Sequence, residues 1–403
     1  MPHLNNIFLV VIDALRSDHL GCYGYHRETS PEIDKIAGEG ITFDKVMSQS
    51  SWTKPSVASL LTSTYPEIHG VKVIQDSLSG QEAFLPTILK KFGYVTGCIQ
   101  TNPFLSRESG FNQDFDFYLE LFDNAPGVYK PRINDAINAV FDWVDRFTVH
   151  PFFLYLHVLD THNPYAPPKE FNRFGDTDQD LFDGEVRFVD YYIGLIRRYL
   201  ALKGLQEKTL FIITSDHGEE FGEHGHSYHA KHLYQEVLRV PLIISSPALI
   251  PSGLSIPTQV RSIDMVPTIL QLLGIPPLAQ HQGESLIPLL NLASAPERPA
   301  LSQIGEGNPA EKKNELISFN TGNYKLIWDK QTDTKELYHL VTDPQEKNNI
   351  ADEEKEKCRD LQTQINNFLQ PSDESPFHYK PNRKKISLDE DLLKRLRGLG
   401  YID

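Results

Sequence analysis

Short apolar runs that each stop at a polar cluster narrow the fold of this chain more than any other feature. The run at 7–12 stops at Asp13, 94–99 at Thr101-Asn102, and 152–159 at Asp160-Thr161-His162. The run at 210–213 stops at Ser215-Asp216-His217, and 240–244 at Ser245-Ser246. Runs this short and β-branched, without polar alternation, fit strands buried on both faces, as in a parallel sheet. Helical spacing fills the intervals at 56–61, 84–92, 133–147, 183–202 and 264–273, the last closed by Gly274 and Pro276. Strands alternating with helices predict an α/β sandwich with a mostly parallel central sheet.

The character changes near residue 310. Segments 323–328 and 336–340 read as an antiparallel pair, followed by a polar helix at 352–369, a Pro/Ser linker at 371–381 and a last helix at 388–396. The expected division is an α/β domain over 1–310 and a small antiparallel subdomain over 311–403. A chain of 403 residues can bury a core of that size.

Charge and composition exclude several functions. The 39 basic against 54 acidic residues leave a net charge of −15, so no diffuse positive field exists to displace counterions from nucleic acid. The one basic run, Arg383-Lys384-Lys385, reads as a solvated face. Three cysteines cannot form a disulfide framework, which suits a reducing compartment. The first apolar run is too short for a signal segment, and no stretch approaches the ~20 residues of a membrane span. A cytoplasmic location is the expectation.

The strand ends carry the chemistry. Ligands of open α/β sheets bind outside the carboxyl ends of the strands, and here three runs end in Asp13, Asp160/His162 and Asp216/His217. A metal or phosphate site follows if they converge. The segment from Ser50 to Val57 adds a hydroxyl: Pro55 suits a first helical turn, placing Thr53 or Lys54 at the cap. The free N–H groups of that turn favour an oxyanion, and a nearby metal would favour an alkoxide. The plainer alternative is Thr53 as a simple N-cap.

These segments resemble the sulfatases of the alkaline-phosphatase superfamily. The resemblance rests on the run from Asp13 to Tyr25, on Ser51-Trp-Thr-Lys-Pro-Ser-Val57 with Tyr65-Pro66 and His69-Gly70, and on the stretch from Leu156 to Pro168. It extends through the run from Ser215 to Gly225, Arg239-Val-Pro, Leu337-Tyr-His-Leu340 with Asp343-Pro344, and the stretch from Leu396 to Tyr401. It implies an alkaline-phosphatase/sulfatase-like sandwich and a metal-dependent ester hydrolase. Two departures matter. The Cys or Ser that the family oxidises to formylglycine is Thr53 here, and Val57 replaces an Arg, so no formylglycine is expected. Ala14 stands where many sulfatases carry a second acidic ligand, and His217 where several carry an amide.

The expected centre is one divalent ion held by Asp13, Thr53, Asp216 and His217. The imidazole favours Mn²⁺ or Zn²⁺, with Ca²⁺ also admitted. Thr53 is the expected nucleophile, and His162 and His229 are expected to bind the ester or protonate the leaving group. Lys54 and Lys231 are candidates to hold an ester oxygen. A rival arrangement adds a second ion on Asp160, His162 and His229. His157 reads as a core histidine, and His224, His226 and His232 either as loop-surface residues or with one of them as an alternative acid. Phe104, Phe111, Phe115, Tyr129, Tyr165 and Phe171 are available as pocket walls. The expected substrate is a phosphate, phosphonate or sulfate ester of a small molecule, glycan or lipid headgroup, the phosphoester favoured. A sulfatase, a phospho-group transferase and a noncatalytic anion- or partner-binding relative are the alternatives.

Overall fold

The structure, a computed structural model, describes residues 6–80, 83–124, 130–147, 149–291, 296–305, 315–369, 384–388 and 390–398. Tyr129, Arg383, the linker at 371–381 and residues 399–401 of the closing motif lie outside the described residues.

The main sheet has nine strands: β1 Asn6–Ile12, β2 Ile41–Met47, β3 Val95–Gln100, β4 Phe117–Glu120, β5 Phe152–Val158, β6 Thr209–Thr214, β7 Arg239–Val240, β8 Leu242–Ser245 and β9 Leu254–Arg261. Across the sheet the order is β9, β2, β7 with β8, β6, β1, β5, β3, β4. The pairs β1–β5, β1–β6, β3–β5, β3–β4 and β2–β9 are parallel. The run expected at 240–244 departs from this. It lies antiparallel to β2 and β6 and is divided at Pro241, which has no N–H to give the ladder.

Alternation along β1 builds two cores. Ile7, Leu9 and Val11 pack with Val57, Leu60 and Leu61 of the helix Thr53–Thr62 and with Val266, Ile269 and Leu270 of the helix Met265–Leu272. Phe8, Val10 and Ile12 pack on the other face with Ile33 of Pro31–Gly38, Val140 of Ile133–Phe147, and Phe182 and Val189 of Asp178–Leu202. Each such side chain contributes about 1.5–3 kcal/mol by leaving water. A carboxylate at Val10 would stand unpaired between these layers.

β2, β4 and β9 escape the apolar-run criterion. Thr42, Asp44 and Lys45 interrupt β2, β4 is only four residues long, and β9 carries Ser255, Thr258 and Gln259 around an irregularity between Ile256 and Gln259. The small sheet is a four-stranded antiparallel meander of Ala300–Ile304, Leu316–Asn320, Tyr324–Asp329 and Lys335–His339. Its first strand therefore precedes residue 310. The helix Lys355–Leu369 covers it through Cys358, Leu361 and Ile365.

Candidate active site

Strand register brings the polar clusters to one rim. β1 pairs with β5 at Ile12↔Val158 and with β6 at Val11↔Thr214, while β3 meets β5 at Gln100↔His157. The residues that follow, Asp13, Asn102, Asp160 and Asp216, thus leave the sheet at one end. The Asp13 N–H donates to the Val158 carbonyl at 2.9 Å, and the Thr161 hydroxyl donates to the Asp13 carbonyl. Ala14 then turns the chain at φ 57°, a left-handed geometry that costs a non-glycine residue about 1–2 kcal/mol. The turn lets the Ala14 N–H donate to Asp216 Oδ1 at 3.2 Å.

The helix after β2 begins at Thr53, with an extended Trp52 as its N-cap residue and no side-chain cap. Thr53 is therefore the first helical residue and not the cap, which corrects the plainer sequence reading. Its buried Oγ1 lies 3.3 Å from Asp13 Oδ2 and 3.4 Å from His217 Nε2, and accepts from Asn102 Nδ2 at 3.3 Å. The small sheet fixes the approach to this helix. The Ser302 hydroxyl donates to the Ser48 carbonyl at 2.6 Å, and the Gln303 N–H donates to the Gln49 carbonyl at 2.9 Å.

Asp13, Asp216 and His217 each offer a ligand atom within 4.8 Å of the others. Asp13 Oδ1 and Asp216 Oδ2 are buried and accept no hydrogen bond. His217 Nε2 is 3.7 and 3.6 Å from these two oxygens. The His217 Nδ1–H donates to the Gly218 carbonyl at 2.9 Å, so Nε2 presents a lone pair. Orphaned carboxylate oxygens facing an imidazole lone pair are costly without a cation, and the donor set fits a divalent ion. Burial works against both carboxylates. The His157 hydrogen bond nonetheless holds Asp13 low, while burial and the charge of Asp13 push Asp216 up.

Several partners escape sequence reasoning. Asn102 Nδ2 donates to Asp13 Oδ2 at 2.6 Å. His157, expected as a core residue, is buried but also lies with Nε2 3.1 Å from Asp13 Oδ2. Glu219 is buried, contacts His229 Nδ1 at 2.8 Å through Oε1, and accepts the Tyr165 hydroxyl at 2.7 Å through Oε2. Burial opposes protonation of His229, but the Glu219 carboxylate prevails and raises it above the usual imidazole range. Burial and the neighbouring His229 push His162 well below that range. The rings of His229 stand 4.7 Å from His162 and 4.5 Å from His217. Lys130 Nζ donates to the carbonyls of Asp160 at 2.5 Å, Pro164 at 3.3 Å and His162, holding that turn.

Other candidates sit elsewhere. Lys54 is buried with Nζ donating to the Ile74 carbonyl at 2.7 Å, and burial pulls it down to about 7. Half-buried Lys231 donates to the Ser227 carbonyl at 3.2 Å and lies over the Tyr228 ring. Asp160, the acid of the rival second-ion arrangement, accepts from the Ile133 N–H at 3.0 Å and from Arg132 Nε at 3.3 Å, so both its oxygens are engaged. Phe111 and Phe115 belong to the core layer and Phe171 stacks edge-on against Phe188, while Phe104 meets Trp52 edge-on. Trp52, Phe104, Leu159 and Ala230 form an apolar shelf beside the site, covered by Leu388, Leu392 and Leu396 at the helix Glu390–Gly398.

A family model described as Sulfatase matches residues 5–275, and one described as N-sulphoglucosamine sulphohydrolase, C-terminal, matches residues 222–374. The chain is 24% identical to an N-acetylglucosamine-6-O-sulfatase of Bacteroides thetaiotaomicron over 86% of this chain and 82% of that one. A solved complex with the substrate D-glucosamine-2-N,6-O-disulfate superposes with a TM-score of 0.80 at 20% identity, covering 93% of this chain and all of that one. The phosphonate monoester hydrolase of Agrobacterium radiobacter superposes with a TM-score of 0.75 at 18% identity, covering 90% and 95%. Among the described residues no helix is long and apolar enough to cross a membrane.

Proposed function

The chain belongs to the sulfatase family and is an ester hydrolase, and on that premise we propose that it cleaves its ester with Thr53 as nucleophile in a metal-dependent reaction. The observation that carries this reading is the Thr53 hydroxyl at a helix start, 3.3 Å from Asp13 Oδ2 and 3.4 Å from His217 Nε2. Asp13, Asp216, His217 and Thr53 would hold one divalent ion, with Mn²⁺ or Zn²⁺ favoured by the imidazole. When bound, such an ion lowers the hydroxyl's pKa and neutralises charge on a nonbridging oxygen.

The chain's own groups orient the hydroxyl and account for the other protons. The Thr53 hydroxyl donates to Asp13 Oδ2, which aims Oγ1, and its proton passes to solvent as Oγ1 bonds to phosphorus or sulfur and the bond to the leaving oxygen breaks. His229, held protonated by Glu219, gives that leaving oxygen its proton. His162 donates Nδ1–H to the Asn163 carbonyl at 2.5 Å, so its Nε2 is the acceptor for the proton of the incoming water. Attack of that water on phosphorus or sulfur releases the group and restores Thr53.

Threonine carries a single hydroxyl, so release requires water, or an alcohol in a transfer reaction, to attack phosphorus or sulfur. Together with Val57 in place of a cationic side chain, this favours phosphoesters or phosphonates. The likeness to an enzyme named for a sugar 6-sulfate supports the second reading, a sulfate ester on a glycan. Aryl phosphate, phosphodiester, phosphonate and sulfate esters, assayed with the metal-loaded enzyme, rank these readings. Mass spectrometry of the peptide containing residue 53 should show unmodified threonine at rest and a phospho or sulfo adduct after quenching. A formyl group at that residue, or full activity in Thr53→Ala, overturns the assignment.

A further inference from the structure

A second set of donors lies away from Thr53. Glu220, His224 and Glu236 each offer a ligand atom within 4.8 Å of the others. Glu220 is fully buried, and its Oε1 accepts no hydrogen bond. Its other oxygen lies 3.4 Å from His232 Nδ1. His224 Nε2 is 3.1 Å from the Glu346 carbonyl, which can only accept, so Nε2 carries a hydrogen. His224 Nδ1 then faces Glu236 Oε1 at 2.5 Å. That is a hydrogen-bond distance, so a proton lies between them here, whereas two ligands of one zinc ion would stand about 3 Å apart.

Three features favour an ion in its place. The proton between His224 and Glu236 leaves Glu220 Oε1 orphaned, whereas a dication would satisfy it and balance both carboxylates. The carbonyl on Nε2 is the outer partner that fixes the tautomer of a ligating histidine. The His224 ring is held against Tyr234, with centroids 3.7 Å apart and planes 11° apart. We propose that Glu220, His224 and Glu236 form a second divalent-metal site of zinc type, with nitrogen and oxygen ligands. The ion ties together the two ends of the 220–236 stretch, within which His229 lies, so its role is structural.

The test counts zinc. Chelator-stripped full chain is titrated with Zn²⁺ and the bound metal is measured after gel filtration. The wild-type chain should bind two equivalents. Glu220→Gln and His224→Gln should each lose one and keep the one that Asp216→Asn loses. Zinc-edge absorption of the Asp216→Asn protein should show one imidazole among oxygen ligands at about 2.0–2.2 Å. A single wild-type equivalent that Asp216→Asn abolishes overturns the proposal, as does unchanged stoichiometry in Glu220→Gln. A single equivalent that survives Asp216→Asn supports this site while removing the ion from the Thr53 centre. The wild-type count and the Asp216→Asn spectrum decide the matter even if the Glu220 and His224 variants fail to fold.

Discussion

Two pairs of buried carboxylates lie at the same end of the sheet, and they are finished differently. Asp160 and Glu185 have all four oxygens engaged. Asp160 accepts from Arg132 and the Ile133 N–H, and Glu185 accepts from Arg132 and, at 2.8 Å, from the Ala166 N–H. Asp13 and Asp216 keep one oxygen each without a donor. The first pair receives its positive charge from the chain itself, so it holds the loop and the start of a helix in place. The second pair is left for a charge that comes from outside, next to a hydroxyl. Burial of acid is thus common to structure and catalysis, and the completeness of the donors separates them.

This contrast can be broken at either pair. The largest effect is expected from Thr53→Ala, which should lower kcat by about 10³-fold or more while the melting temperature stays near the wild-type value. A stable but fully active variant would detach the open pair from chemistry. Arg132→Met should do the reverse, taking from Asp160 and Glu185 the guanidinium they share at a cost of about 3–5 kcal/mol in denaturant unfolding. If that variant unfolds like wild type, the closed pair is not structural.

Asp216→Asn sharpens the comparison through a change of sign. It should raise the melting temperature of the metal-stripped chain, by removing one of two facing carboxylates, and lower that of the metal-loaded chain. A fall in both states would show the open pair to be internally satisfied. Glu219→Gln removes the charge that raises His229. If His229 acts as an acid, activity falls as pH rises through its pKa, so this variant should move the alkaline limb of kcat to lower pH. An unmoved limb would assign the proton elsewhere. The smallest effect concerns Lys54, whose pKa of about 7 in the fold lies below the ordinary 10.5. Between these values the unfolded chain binds the extra proton, so stability should rise with pH over that window. Lys54→Met should flatten the slope, as read from urea midpoints.

Sequence reasoning reached the open pair because Asp13 and Asp216 each follow an uninterrupted apolar run, and two of the three acid-bearing strand ends meet at Thr53. It could not separate Asp160 from them, since nothing in the run at 152–159 announces that Arg132 and Ile133 will arrive from a different loop. Asn102 was visible as the polar end of 94–99, but an amide there is also an ordinary turn residue. Glu219 adjoins Asp216 and His217, yet its partnership with His229 and Tyr165 joins three loops and depends on packing. In the fold, the cores were legible where an apolar run is uninterrupted by polar residues, as in β1. They were not where polar residues interrupt a strand, as in β2, or where a run is divided at Pro241 and lies antiparallel to its neighbours.

The shelf of Trp52, Phe104, Leu159 and Ala230 has a temporal consequence. Each of these residues is within two positions of Thr53, Asn102, Asp160 or His229, and all are covered from the helix that ends at Gly398. During synthesis the nascent sheet can form with Asp13 and Thr53 in place while that oily ledge is still bare. A chaperone has this interval to shield it, and a chain halted before Leu396 would keep its sticky side outward.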